Sequence, residues 1–172
     1  MAGRQGKQTV RNMLWSLAVI GIVAGVIYVF VPHDDSKSPV ERKDYRVELV
    51  GARRVAPYPV LAPKGLSKDW MATSVRYKDE EHHSWHLGFL DPEREYVVIK
   101  QSTGKPAEFI DQATQGARKT SATEEIDGKT WQRYQGSTYD ALVRQDKGAT
   151  TVIAGTASFA QLTKMVESLK SS

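Results

Sequence analysis

The feature that most constrains this chain is an unbroken apolar run, Leu14–Val31, that contains no charged residue. At helical rise, about 18 residues cover roughly 27 Å, close to the hydrocarbon thickness of a bilayer. Arg4, Lys7 and Arg11 precede the run with no acidic residue among them, whereas His33, Asp34 and Asp35 follow it. Lys/Arg excess marks the side that stays in the cytoplasm, so the basic tail 1–13 is expected inside and the rest of the chain outside. A cleaved signal peptide would need a shorter apolar core and small residues at the cut. Tyr28-Val29-Phe30-Val31-Pro32 is bulky at that place. Residues 14–31 are therefore expected to form an uncleaved transmembrane signal anchor at the cell membrane, with the lipid bilayer as the first partner. Gly21 and Gly25 within the run make a small-xxx-small pair, the spacing through which two such helices approach as a homodimer.

The net charge of +4 has little bearing on partners once its location is considered. Three of the 24 basic residues sit in the tail, and the other 21 nearly balance 20 acidic ones. No basic face stands out, so nucleic acid is not expected as a partner. The chain has no Cys, which excludes a disulfide framework, a thiolate metal site and a lipidated cysteine. Stability must then come from ordinary packing, for which a domain of this length is sufficient.

Residues 32–44 are polar, include Pro39, and are expected to be a linker ahead of an extracytoplasmic domain over 45–172. Tyr45, Val47 and Leu49 alternate with Arg46 and Glu48, the pattern of a half-buried strand. Pro57, Pro59 and Pro63 exclude a central strand through the next stretch, leaving an extended loop. Three strands follow: Met71 to Tyr77 with alternating sides, Trp85-Leu87-Phe89, and the nearly continuous apolar Tyr96 to Gln101. Pro106 suits a first helical position, with Phe109, Ile110 and Ala113 at helical spacing before Gly116. Asp127-Gly128 and Asp146-Lys147-Gly148 mark two hairpins. Ser158 then opens a last helix with Gln161 three residues on, a capping box, and Phe159, Leu162, Val166 and Leu169 as its apolar stripe. The fold class is α+β: an antiparallel sheet of about seven or eight strands with two packed helices, preceded by one transmembrane helix.

These landmarks come in a familiar order. Leu61-Ala62-Pro63-Lys64-Gly65-Leu66, Trp70-Met71-Ala72-Thr73-Ser74 and Trp85-His86-Leu87-Gly88-Phe89 form one part of it. Asp127-Gly128-x-x-Trp131 and Gly155-Thr156-Ala157 with Leu162 form the other. Together with the apolar run they resemble an actinobacterial family of single-pass membrane proteins, domain of unknown function 4245, over nearly the whole chain. The resemblance implies a cell-envelope location and carries over no catalytic residue. Its order of sheet and helices is also similar to Mog1/PsbP-like folds.

Candidate sites are few. Asp79 to His86 holds three of the four histidines, and His82, His86 and Glu80 are the metal-ligand candidates. On a straight strand His82 and His86 share a face but stand about 13 Å apart, too far for one ion unless the segment bends. Otherwise the stretch is a solvated hairpin tip. Trp70, Trp85 and Trp131 could stack on glycans, although large aromatics at alternating strand positions are more often core. Pro57, Tyr58 and Pro59 are the candidate partner-binding loop. No nucleophile elbow, zinc-protease motif or phosphate loop occurs, and nothing calls for a cofactor. The expected function is a membrane-anchored, non-catalytic module that binds an envelope protein or a cell-wall ligand. The alternative is an envelope hydrolase or metal-binding protein using the His82–His86 region.

The topology is directly testable. A reporter active only outside the membrane, fused after Ser172, should be active, and the mature chain should retain its basic tail. An inactive fusion, or a mature N-terminus beyond Pro32, would contradict the anchor.

Overall fold

Two apolar runs with no polar alternation, Val97-Val98-Ile99 and Val152-Ile153-Ala154, become the centre of a sheet covered on both faces. The computed structural model describes residues 13–23, 41–146 and 148–171. The chain divides into two units, Met1–Val40 and Glu41–Ser172. In the first, residues 13–23 are helical, with large apolar side chains such as Leu14, Trp15, Leu17 and Ile20 exposed. Residues 24–31 of the expected span, with Gly25, lie outside the described residues, as do 1–12 and 32–40. Among the described residues no helix is long and apolar enough to cross a membrane.

The second unit runs α1 (Arg46–Val55), β1 (Ala62–Pro63), β2 (Met71–Lys78), β3 (Ser84–Leu90), β4 (Tyr96–Ser102), α2 (Pro106–Thr114), β5 (Arg118–Ile126), β6 (Lys129–Gln135), β7 (Asp140–Asp146), β8 (Ala149–Gly155), α3 (Phe159–Ser168) and β9 (Leu169–Lys170). Seven strands form one antiparallel sheet in the order β2-β3-β4-β8-β7-β6-β5, and β1 pairs with β9 in a small ribbon. Two meanders thus meet along β4 and β8, each meander followed by a helix. The fold is α+β, as the strand and helix signals indicate.

Turn chemistry accounts for the joins. Asp91 Oδ1 accepts the backbone N–H of Glu93 and Glu95 at 2.9 and 2.8 Å, closing the β3–β4 turn. Asp127 and Gly128 both adopt positive φ, 51° and 69°, the conformation that a two-residue hairpin loop requires. Pro106 takes the first turn of α2, which ends on left-handed Gln115 and Gly116.

One sheet face carries the larger core, where Trp85, Leu87, Phe89, Ile99, Trp131, Leu142 and Ile153 meet α1, α3 and the proline loop. The three tryptophans of the domain are at most 2% exposed and therefore serve packing rather than an external stacking platform. On the other face α2 sets Ile110 and Ala113 against Val98, Ala141, Val143, Val152 and Ala154. That helix covers β7, β8 and Val98 of β4, and on this face β2, β3 and the Lys100 end of β4 are left without a helix.

Several expectations need correcting. Tyr45, Val47 and Leu49 lie on or beside a helix, not a strand. Tyr45, Leu49 and Ala52, at helical spacing, turn inward while Val47 points out. A five-residue alternation fits either period. Asp44 Oδ1 accepts the first helical N–H, that of Arg46, at 3.0 Å. The domain thus has three packed helices instead of two. It also begins earlier than residue 45. Lys43 N–H donates to Ala72 O at 2.8 Å, and the Arg42 guanidinium donates to the carbonyls of Trp70 and Lys68. At α3, Ser158 is the N-cap residue but makes no side-chain capping bond, and Gln161 Oε1 is buried without a partner. The capping box marks the start of the helix without forming. Leu169 leaves the helix to join β9, and Met165 takes the inward place that the stripe lacked.

Helix α3 tests this packing. Leu162 is fully buried and Lys164 is exposed. Leu162→Ala should cost about 2–5 kcal/mol in chemical denaturation, and Lys164→Ala should stay within about 0.5 kcal/mol. Equal midpoints for the two variants would place the stripe outside the core.

Candidate functional site

The uncovered half-face is lined by the alternate side chains of three antiparallel strands. Because the period is two, the residues that follow the core-facing Trp85 and Ile99 point to the opposite side. Register then places Arg76 beside His86 and His86 beside Lys100 on adjacent strands. With strands about 4.8 Å apart, the row spans roughly 10 Å from end to end. It forms the floor of a groove of about 770 Å³, with Phe109, Gln112 and Ala113 of α2 as one wall and the β2–β3 hairpin tip as another.

Arg76 and Lys100 stand two strands apart with His86 between them, and like charges on one sheet face repel. Among the described residues no carboxylate pairs with Arg76 or Lys100. The other two lining cations are already engaged: Lys78 pairs with Glu81 and Lys105 with Glu108. Glu80 stands exposed at the hairpin tip. Burial lowers the pKa of Lys100, and burial together with the charges of Lys100 and Arg76 brings His86 down to about 4. The imidazole is therefore neutral at physiological pH, between two cations.

A small polar cluster holds the ring. His86 Nε2 lies 3.0 Å from Ser74 Oγ, and Ser74 also bonds Tyr96. Gly88 permits this approach, since a Cβ there would fall 2.5 Å from Ser74 Oγ and 2.7 Å from the Tyr96 hydroxyl. The hairpin tip is fixed from behind. His82 and His83 adopt φ of 55° and 50°, a costly conformation for residues with a Cβ. The His82 carbonyl compensates by accepting from Thr103 N, Ser102 Oγ and Thr103 Oγ1 at 2.9–3.0 Å. His83 Nδ1 lies 2.6 Å from Asp79 Oδ1 and 3.1 Å from the Tyr77 hydroxyl.

His82, His86 and Glu80 thus line one groove, with His82 in a left-handed turn and His86 on the strand. Among the described residues no three His, Asp or Glu side chains cluster as a metal site would. In the proline loop, Pro57 and Pro59 are exposed but Tyr58 is buried, its hydroxyl donating to the His83 carbonyl. That loop braces the hairpin tip, so its ring is not a free contact. Gly21 lies in the helical segment 13–23, with open space around it. The sequence reading missed Arg76, Ser74 and Lys100. Charged residues in the alternating pattern of β2 and at the end of the apolar run in β4 were the available signal, but their register cannot be read without the pairing.

The chain belongs to the family described as Protein of unknown function (DUF4245), which it matches over residues 5–169. No curated protein matches it.

His86 makes stability pH-dependent. Its folded-state pKa, about 4, lies below the ordinary histidine value of about 6.5, so the unfolded chain takes up the proton first. The contribution is complete above about pH 6.5 and declines as pH falls toward 4. Denaturation midpoints measured across that range should fall less steeply for His86→Gln than for the native chain. Identical slopes would show that the ring is not held neutral.

Proposed function

We propose that this member of the DUF4245 family is a membrane-anchored, extracytoplasmic binding module whose groove holds the acidic groups of an envelope ligand. The observation that carries the reading is the in-register row Arg76–His86–Lys100 with no carboxylate paired to it among the described residues. The two cations flank the neutral ring from its neighbouring strands and repel one another. A carboxylate or phosphate between them replaces that repulsion with attraction. The neutral imidazole, held by Ser74, adds a hydrogen-bonding group on the groove floor. The apolar run supports the anchor, and the charge order around it supports an outward-facing domain.

The geometry favours binding over hydrolysis. Ser74 and His86 form half of a nucleophile pair, but a general base must become an imidazolium during the reaction. Here the neighbours of His86 are Arg76 and Lys100, which oppose that charge, and no carboxylate contacts the ring among the described residues.

Tripolyphosphate serves as a probe in calorimetric titration of the full chain in detergent. Binding should weaken with salt, and Lys100→Gln or Arg76→Gln should lower affinity about tenfold or more, as for a lost charged hydrogen bond. Lys78→Gln, already paired with Glu81, should change it far less. No binding, or equal affinity in all variants, would overturn the reading.

A further inference from the structure

Among the described residues of the Glu41–Ser172 unit, all the exposed large apolar side chains lie on one helix, α1. Val47, Val50 and Val55 are 79%, 50% and 58% exposed. At 100° per residue they share one side of the helix with Gly51 and Arg54, opposite the inward Leu49 and Ala52. Arg46 flanks the stripe at the start of the helix. Arg53 is turned the other way and donates to the carbonyls of Val60 and Lys170. Ahead of the helix Arg42 and Lys43 are balanced by Glu41 and Asp44, with Lys43 paired to Glu41 and Arg46 to Asp44, so the net positive charge lies on the helix itself. Glu48 stands exposed at the other edge of the stripe, so the helix carries three arginines against one glutamate. An apolar stripe on a net-basic helix of low net hydrophobicity is the composition of a helix lying in a membrane interface.

Position in the chain supports the same occupant. Fourteen residues separate Val31, the end of the apolar run, from Arg46. Fully extended they reach at most about 50 Å, so an anchored chain keeps α1 at high effective concentration next to the lipid headgroups. We infer that the outward face of α1 docks on an anionic lipid surface. This rests on the anchor reading above.

The docking orients the site. Helix α1 packs on the large-core side of the sheet, whereas Arg76, His86 and Lys100 stand on the opposite side. With the valine stripe on the lipid, the groove faces away from the membrane. Its ligand is then met in the envelope space, and the two basic regions do not compete for the same lipid.

The absence of Cys gives a clean background for site-specific labelling. Full-length Val50→Cys, and Ser121→Cys on exposed β5 as control, carry an environment-sensitive dye. Both are reconstituted in vesicles of phosphatidylcholine alone or with phosphatidylglycerol, with brominated acyl chains as quencher. The position-50 label should shift to the blue and be quenched when phosphatidylglycerol is present, and Arg54→Gln should reduce both effects. The position-121 label should show neither. Flotation after alkaline extraction reports the anchor separately. A floating chain whose two labels behave alike overturns the docking alone, and a chain that does not float overturns both the docking and the anchor. Self-quenching between position-50 labels in phosphatidylcholine alone would assign the face to a second copy, and would also overturn the inference.

Discussion

Unequal cover on the two faces of one antiparallel sheet governs the rest of this domain. The central strands β4 and β8 are buried on both sides, which their unbroken Val, Ile and Ala runs make favourable. Away from that pair the balance is lost. Helices α1 and α3 and the proline loop seal one face across the sheet, while α2 covers only β7, β8 and Val98 of β4 on the other. Burying Trp85, Leu87 and Phe89 on the sealed side forces their sequence neighbours onto the open one. The polar row is thus a consequence of core formation, and the identity of its residues decides what it does.

Those residues sit where cross-strand repulsion would be relieved most simply by exchanging one of them for a carboxylate. Glu81 and Glu108 are nearby, yet they pair with the rim cations Lys78 and Lys105 and leave the floor uncompensated. Rigidity accompanies this arrangement. Two consecutive left-handed residues at the hairpin tip are held by the bonds to the His82 carbonyl and by Tyr58 from the loop behind. The groove wall is therefore held by the fold itself, which would lower the ordering cost of the proposed binding.

Much of the fold was legible because local chemistry and tertiary structure agree. The Asp127-Gly128 hairpin, Pro106 at the start of α2, and the start of α3 at Ser158 all fall where turn and cap preferences place them. The failures have physical causes. Helix α1 presents an alternation too short to separate a period of 2 from one of 3.6, and its inward residues include Ala52, a weak hydrophobic signal. Tyr58, between two exposed prolines, completes the core with its ring and meets a backbone carbonyl with its hydroxyl. The site was legible only as a histidine cluster. His86 was among its candidates, whereas Arg76 and Lys100 join it through strand register, which no single stretch of sequence contains.

His86 is a neutral ring between two cations, which we propose an anion bridges. Its imidazole titration by NMR, in the full chain with and without tripolyphosphate, addresses this directly. An anion seated between Arg76 and Lys100 offsets the charges that depress the ring, so the pKa should rise from about 4 toward its ordinary value. A titration unmoved by saturating tripolyphosphate would mean that the anion does not occupy the row, and would contradict the account.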